Sequence, residues 1–436
     1  MSVAPLGWLG IVRLGLVQSA IGAIVMLATS LLNRVMVVEY ALPAALPAGL
    51  VAWHYAVQLS RPAWGHGSDR GRRRTPWIVV GMATLALGAI LAVEALSLLA
   101  ERSSWGFAVA ILAFTMIGAG VGAAGTSLLA LLATRVAPER RAAAASITWI
   151  MMIAGIVVTA GVAGGLIDPF SLPRLAMVAG GVAAVAFLVA VMAVWGIESR
   201  GVSAPAAIEA KSTPPFGVAL REMLADDAAR RFTIFVFLSM LAYSMQDLIL
   251  EPFAGLLFGF TPGQSTQLSG LQHGGVLAGM ILVGLGGSAF GRSPAGLRRW
   301  IVGGCIGSAV ALGGLALAAR VGPGWPLSAN IALLGFANGV FAVAAIGAMM
   351  GLASVDVGRE GIRMGVWGAA QAMAFGLGGL IGAVGVDAGR ALTGSTPDTF
   401  MIVFGIEALL FMAAATLALR GTEPVGDVRS VARQPA

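Results

Sequence analysis

The chain has 436 residues, of which 58% are hydrophobic and 11% are charged, and its mean hydropathy is +0.90. Soluble domains carry about 25% charged residues, so this composition excludes a soluble globular protein and indicates a membrane protein. The net charge is +7, but the basic residues lie in short segments between apolar runs, which indicates membrane topology and not nucleic-acid binding. The single cysteine, Cys305, excludes a disulfide within the chain and a metal site built from cysteines.

Apolar runs of about 18 residues or more recur along the whole chain and predict an all-α membrane protein with twelve transmembrane helices. The first run continues to Leu32 without a small-residue cleavage pattern, so we expect an uncleaved first span. The predicted spans are residues 14–34, 44–60, 77–99, 107–133, 145–167, 174–196, 232–257, 267–289, 300–319, 327–352, 363–386 and 399–419.

The positions of the basic residues predict the orientation of these spans. The two termini and the even-numbered loops together hold 22 of the 27 Arg and Lys residues. Arg and Lys concentrate in cytoplasmic segments of membrane proteins. Both termini are therefore predicted to be cytoplasmic.

The two sets of six spans resemble each other, which predicts the major facilitator plan of two related halves. Arg140 matches Arg359, and Asp168 matches Asp387, at one and the same offset along the chain. The predicted divisions are an N-terminal half 1–196, a cytoplasmic linker 197–231, a C-terminal half 232–420 and a cytoplasmic tail 421–436.

Glycine is abundant, with 61 residues, and many glycines recur at helical spacing. Small residues allow helices to approach closely in a membrane, so we expect these positions to be packing faces; a flat ligand lying against them is the alternative. The glycines concerned are Gly118, Gly122 and Gly125 in span 4 and Gly378, Gly382 and Gly385 in span 11.

Charged residues inside the predicted spans form the strongest functional signal. Asn33 and Arg34 lie at the outer end of span 1, followed by Glu39, and Gln246 and Asp247 lie at the matching place in span 7. A charge within the bilayer costs at least ~2.5–3.5 kcal/mol unless it is paired or hydrated. The sequence therefore predicts an ion pair between Arg34 and Asp247 that links the two halves.

Span 7 also carries Glu251 and Pro252. Asp247 and Glu251 are four residues apart on one helix face, where like charges repel, so one of them should be protonated or have a partner of its own. Pro252 leaves the carbonyl of Leu248 without its helical donor, which predicts a bend and a neighbouring donor.

The loop between spans 2 and 3, "GHGSDRGRRRTP", resembles the major facilitator loop signature at Gly65, Asp69, Arg70, Arg73 and Arg74. In that family the loop holds the two halves together on the inner side. We expect the carboxylate to cap a neighbouring helix and the other arginines to meet lipid phosphates. A loop that only sets topology is the alternative.

Two histidines lie inside predicted spans, His54 in span 2 and His273 in span 8, and the offset between them is the one that separates the matched aspartates. A neutral imidazole is an apt axial ligand for the metal of a macrocycle, and it is also a common hydrogen-bonded packing residue. Both interpretations stay open for both residues. No metal site built from protein ligands alone is predicted.

Motifs of nucleotide-driven chemistry are missing, since the single lysine, Lys211, lies outside any P-loop and no HExxH occurs. The sequence therefore predicts no nucleotide cofactor and no enzyme.

Four stretches, "LGWLGIVRLGLVQ", "LLNRVMVVE", "GSDRGRRRTPW" and "MQDLILEPF", together resemble the bacteriochlorophyll delivery family, the PucC/LhaA-like branch of the major facilitators. The resemblance covers essentially the whole chain and is strongest to members encoded among bacteriochlorophyll-synthesis genes. It implies a multi-pass protein of a bacterial inner, intracytoplasmic membrane.

This resemblance implies that the cargo is bacteriochlorophyll or a precursor. The implied partners are light-harvesting or reaction-centre polypeptides, a membrane-bound pigment-synthesis enzyme and lipids, with no nucleic acid. The pigment is large, flat and lipid-soluble, so it should enter between helices from the bilayer. The alternatives are a proton-coupled secondary transporter using Asp247 and Glu251, and a scaffold that docks a pigment-making enzyme.

Overall fold

The computed structural model describes residues 6–61, 64, 73–101, 103–137, 140–198, 221, 225, 227–289, 294–353 and 360–421. Twelve helices account for nearly all of the described residues. They are α1 (Trp8–Glu39), α2 (Ala45–Val57), α3 (Thr75–Ala100), α4 (Trp105–Arg135), α5 (Arg141–Leu166), α6 (Leu172–Val194), α7 (Asp227–Met245 continued by Leu250–Phe258), α8 (Pro262–Ala289), α9 (Pro294–Val321), α10 (Leu327–Ala353), α11 (Glu360–Thr393) and α12 (Thr396–Gly421).

Ten helices within the described ranges are long and apolar enough to cross a membrane. The other two, α2 and α8, pack in the same bundle, and α2 continues as a 3₁₀ turn, Gln58–Ser60. The chain is therefore a multi-pass membrane protein. The cytoplasmic location of its termini stays a prediction from the loop charges.

Helix contacts repeat between the first six helices and the last six. α3 packs along α4 as α9 packs along α10, and α1 packs along α5 as α7 packs along α11. Between the two sets, α5 packs on α8 and α2 packs on α11. Each contact recurs when both helices are replaced by their equivalents, six helices away, in the other half. Two related halves require this pattern.

Two helices depart from regular α geometry at the residues that the sequence singled out. α1 extends well beyond the predicted end at residue 34, and it contains two π-helical stretches, Leu27–Leu31 and Val35–Glu39. α7 is interrupted by a 3₁₀ turn, Gln246–Leu248, and ends at Gly259, whose positive φ of 68° closes the helix. π-helical stretches within α-helices are frequent at functional sites.

Two of the glycines that the sequence singled out lie at close contacts between helices. A Cβ on Gly118 would lie 2.6 Å from the backbone carbonyl of His54 in α2, and one on Gly382 would lie 2.5 Å from the carbonyl of Met245 in α7. These approaches confirm the packing prediction there. At Gly125 the prediction is wrong, because nothing lies within 4 Å of the Cβ position.

Candidate functional site

The end of the bundle opposite the termini, here called the distal end, is held together by two carboxylates. Asp387 at the end of α11 accepts hydrogen bonds from the backbone N–H groups of Ala44 (3.0 Å) and Ala45 (2.7 Å), at the start of α2. Asp168, after α5, accepts from the Gly263 N–H (3.1 Å) and the Thr261 hydroxyl, at the start of α8.

Each carboxylate therefore caps a helix N-terminus in the other half, where a negative charge is favourable. Ala44 and Gly263 are separated by the same offset along the chain as the two aspartates. The internal repeat thus includes both the capping residue and the helix that it caps. We call these two contacts the distal caps.

Asn33 meets the requirement that Pro252 creates. Its side-chain N–H donates to the carbonyl of Leu248 at 2.7 Å, which is the carbonyl that lacks a helical donor because residue 252 is proline. A side chain from α1 thereby completes the backbone of α7. The predicted neighbouring donor is therefore present, and the helix is interrupted at this place by the 3₁₀ turn Gln246–Leu248.

Arg34 is 1% exposed and does not pair with Asp247, so the predicted ion pair is wrong. Its guanidinium binds the Glu39 carboxylate and donates to the Phe260 carbonyl at 2.6 Å. The π-helical stretch from Val35 to Glu39 explains why Arg34 pairs with Glu39, because π geometry places residues five apart on the same face of the helix. Arg34 still links the halves, but it does so through a backbone carbonyl.

Glu251 has a partner of its own, as the like-charge argument required. The hydroxyl of Ser30 in α1 donates to Glu251 in α7, and Ser30 lies 3.2 Å from the hydroxyl of Ser269 in α8. All three side chains are buried. Three helices from both halves therefore meet at one polar cluster just below the distal end.

Asp247 lies away from that cluster. It is half-buried and interacts electrostatically with Tyr55 and Tyr243, whose rings both pack on Phe375 of α11. Sequence reasoning missed another acid, Glu407 of α12, whose side chain is fully buried. The signal was available, since Glu407 is the only charged residue in the predicted span 399–419, and a charge inside a span is a functional hypothesis by default.

The basic loop between α2 and α3 is only partly described. Gly65, Asp69 and Arg70 lie outside the described residues, and Arg73 is half-buried. Arg74 donates to the Ala130 carbonyl and the Thr134 hydroxyl at the end of α4, both at 2.6 Å. Arg74 thus binds protein atoms at the end of α4, and its contact with lipid phosphate stays a prediction.

The acid that caps α3 is Glu198, which accepts from the backbone N–H groups of Arg74 (2.9 Å) and Thr75 (2.8 Å). Glu198 follows α6, so this cap joins helices of one half. That this loop holds the two halves together on the inner side stays a prediction.

The two candidate pigment ligands differ in their surroundings. His54 is 1% exposed, its Nε2 lies 2.8 Å from the Gln58 amide, and its Nδ1 has no partner within the described chain. His273 is half-buried, and its Nδ1 lies 2.9 Å from the Ser269 carbonyl. A carbonyl only accepts, so Nδ1 carries the hydrogen and Nε2 keeps a free lone pair, the arrangement that metal-binding histidines use.

A large groove opens laterally between α1, α5 and α6. It has a volume of about 1020 Å³ and a mostly apolar lining. α1 packs along both α5 and α6, whereas α5 and α6 barely contact each other. The resulting walls present Val158, Met177 and Val185 to the bilayer, and Asp168 and Arg174 lie at the distal end. Neither candidate histidine lines this groove.

Asp168 also lines a second crevice, of about 610 Å³, which contains Arg34 and Glu39. The lateral groove, one distal cap and the Arg34 ion pair are thus neighbours. We therefore treat them as one candidate functional region.

Comparison with known proteins gives the fold and the family. The chain is similar to a bacterial homologue of the human lysosomal transporter Spinster solved in an inward-facing conformation, with a TM-score of 0.69, 15% identity and coverage of 95% of this chain and 96% of that one. At this identity the similarity establishes the fold alone. It confirms the predicted major facilitator fold.

Two curated relatives extend over nearly all of the chain. One, from Rhodobacter capsulatus, is 53% identical over 95% of both chains and is named bacteriochlorophyll synthase 44.5 kDa chain. The other, Protein PucC from Cereibacter sphaeroides, is 31% identical over 91% of this chain and 88% of its own length. The prediction that the chain is not an enzyme is contradicted by this comparison, because the Rhodobacter capsulatus relative bears the name of a chain of an enzyme.

The sequence pattern of the family described as PUCC protein matches residues 31–423, which begin at the last residue of the first π-helical stretch of α1 and include all of α12. The matched range includes Arg34, both distal caps and the lateral groove except for the α1 residues before 31. The chain therefore belongs to the PUCC protein family.

Proposed function

We propose that the protein handles bacteriochlorophyll or a precursor inside the membrane. In this proposal it delivers the pigment to light-harvesting or reaction-centre polypeptides and works beside a membrane-bound pigment-synthesis enzyme. Two facts support this proposal: membership of the PUCC protein family, and the name of the 53% identical relative, bacteriochlorophyll synthase 44.5 kDa chain. The location would be the inner, intracytoplasmic membrane of a photosynthetic bacterium.

The lateral groove is the observation that carries the proposal. Drug-sized ligands occupy pockets of about 300–1,000 Å³, and the groove, at about 1020 Å³, lies at the upper end of that range. A pigment dissolved in lipid could enter it sideways without crossing an aqueous channel. Its flat apolar faces would lie between α5 and α6, and its polar edge would face Asp168 and Arg174.

The axial ligand of the pigment metal belongs to the same proposal. His273 is the better candidate of the two histidines because its Nε2 is available, whereas Gln58 lies against the Nε2 of His54. Since His273 lies outside the groove lining, it would serve a second pigment position between α5 and α8.

Two adjacent glycines of α6 provide a matched experiment. A Cβ on Gly181, which lines the groove, would meet nothing within 4 Å, and the same is true of Gly180, which does not line it. Gly181→Leu should therefore fill the groove without disturbing the packing, and Gly180→Leu should leave the groove open. Both variants are purified in mild detergent from a pigmented host, and bound pigment is measured by absorption and mass spectrometry.

The expected result is that wild type and Gly180→Leu retain pigment while Gly181→Leu loses most of it. Equal pigment in all three proteins would exclude the groove as the pigment site. Lack of pigment, of antenna polypeptides and of pigment-synthesis enzymes in the wild-type preparation would contradict the function itself.

The second candidate function is proton-coupled transport, and one observation favours it: Asp247 and Glu251 both lie in the interrupted helix α7. Asp247→Asn should then abolish substrate accumulation in vesicles while the protein stays folded. If Asp247→Asn and Arg34→Ala only lower the unfolding temperature, these charges are structural and the transporter hypothesis fails.

A further inference from the structure

The lateral groove has one charged end. Among the described residues that line it, Arg174 at the start of α6 is the one basic residue and Asp168 is the one acid. Both lie at the distal end. The rest of the lining is apolar or uncharged, and away from the distal end it includes Leu16, Met151 and Val189. A ligand with an apolar body and a single charged group therefore fits the groove in one orientation only.

Arg174 uses only part of its guanidinium within the protein. Its Nη1 group donates to the backbone carbonyls of Asp168 and Pro169, in the loop before α6. Its Nε and Nη2 groups donate to no atom of the described chain. These two nitrogens form the edge of a guanidinium that binds a carboxylate through two parallel hydrogen bonds. The half-buried side chain thus keeps its carboxylate-binding edge free.

The charge of Arg174 also lacks a counter-charge in the described chain. The two carbonyls that it binds are uncharged, and it forms no ion pair with the neighbouring Asp168. The carboxylate oxygens of Asp168 accept instead from the Gly263 N–H and the Thr261 hydroxyl, at the start of α8. Asp168 is therefore already bound to the other half, and its charge is stabilised there by a helix N-terminus.

The guanidinium is held in place before any ligand arrives. Ser171 caps α6 by accepting from the backbone N–H of Arg174 at 3.3 Å, and the two carbonyls that hold Nη1 belong to the same loop. A cation that is already ordered loses little conformational freedom when it binds an anion. The apolar walls beside it reduce screening by water and strengthen that interaction.

We propose that the groove selects pigments that carry a free carboxylate, and that Arg174 is the residue that selects them. This inference rests on the proposed function and names the class of its substrate: a tetrapyrrole acid, and not the ester of that acid with an alcohol. The carboxylate binds the Nε and Nη2 groups of Arg174, while the macrocycle lies between α5 and α6. An ester is uncharged and accepts weaker hydrogen bonds, so the groove holds it less tightly.

The experiment compares a pigment acid with its ester. Pheophorbide a and its methyl ester are the probes, because they differ at one carboxyl group and contain no metal, so that axial ligation does not contribute. The full-length protein is placed in nanodiscs of phosphatidylcholine, as wild type, Arg174→Gln and Arg174→Lys, and binding is measured by fluorescence titration. Arg320→Gln is the matched control, since Arg320 is an exposed arginine at the end of α9 and lies outside the groove.

The affinity of each variant is divided by that of wild type for the same pigment, so that the different lipid partitioning of acid and ester cancels. Arg174→Gln should bind the acid about tenfold more weakly than wild type, and the ester equally well. Arg174→Lys should lie between them, because an ammonium group keeps the charge but lacks the planar fork. Arg320→Gln should bind both pigments as wild type does.

If Arg174→Gln weakens both pigments alike, or neither, Arg174 does not select the acid, and the proposed function still stands because pigment is bound. No binding of either pigment by wild type would contradict the inference and the function together. An anionic lipid that is retained by wild type but not by Arg174→Gln in mass spectrometry, without preference for the acid, would assign the cation to a lipid and overturn the inference. Should Arg174→Gln fail to fold, Arg174→Lys decides by the same ratios, with a loss confined to the acid as the expected result.

Discussion

Replacing Asp387 with alanine should loosen the distal end of the bundle without unfolding either half. The carboxylate belongs to α11, and the two N–H groups that it binds belong to the start of α2. The Asp387→Ala variant therefore loses a contact between the halves. Asp168→Ala should act in the same way on α8.

The expected size follows from the number of backbone N–H donors at the capped helix that lose their acceptor. Replacing a helix-capping side chain with alanine costs about 0.5–2 kcal/mol. Asp387 accepts from two backbone N–H groups and Asp168 from one, so we expect ~2 kcal/mol and ~1 kcal/mol respectively. About 1.4 kcal/mol changes an equilibrium constant tenfold. The population of the open distal end should therefore rise roughly 25-fold in Asp387→Ala and roughly fivefold in Asp168→Ala.

Cysteine labelling measures this opening. The native Cys305 is fully buried, so it gives a low background. Ser269→Cys places a thiol at a buried position between the halves, and its labelling rate follows the population of the open state when closing is fast.

Two controls separate capping from other effects. Asp387→Asn should label almost as slowly as the parent, because Asn caps helices about as well as Asp. Asp398→Ala removes an exposed ion pair with Arg320 within one half and should change nothing. If Asp387→Ala labels no faster than Asp398→Ala, the caps do not hold the distal end and our account of this region is wrong.

Two further substitutions test the helix interface and the glycine packing. Asn33→Leu should lower the free energy of unfolding by about 1–3 kcal/mol, because it leaves the buried Leu248 carbonyl unsatisfied. Adding Pro252→Ala should restore part of that loss by returning the helical N–H; no recovery in denaturant titrations would argue against this reasoning. Gly382→Ala should destabilise the protein by about 1–3 kcal/mol through overpacking. Gly405→Ala is the control and should not, because nothing lies within 4 Å of its Cβ position. Equal unfolding temperatures of the two variants would disprove the close approach of Gly382 to the Met245 carbonyl.

The architecture was predictable because the bilayer constrains it strongly. The thickness of the hydrocarbon layer sets the length and apolar composition of the spans, and the orientation of the protein sets the charge of the loops. These three sequence properties predict the same arrangement of spans along the chain. The carbonyl freed by Pro252 also required a donor, and Asn33 supplies it. The offset shared by Asp168 and Asp387 was visible in the sequence, but the helices that they cap could be identified only from the structure.

The partner of Arg34 was not predictable, because the prediction assumed a regular helix through Glu39. A π-helical stretch changes which residues share a face, and nothing in the composition of Val35–Glu39 announces it. Glu407 was a different kind of omission, since its charge was plain in the sequence and only its complete burial required the structure. The lateral groove depends on how far α5 and α6 diverge, which is a property of tertiary packing.

The absorption spectrum of the wild-type protein, purified from a pigmented host, tests the central claim most directly. We predict bacteriochlorophyll or precursor bands that co-elute with the protein in a fixed molar ratio, together with antenna polypeptides or a pigment-synthesis enzyme. A spectrum showing only the protein band, from a preparation that is folded by thermal unfolding and free of those partners, would contradict it.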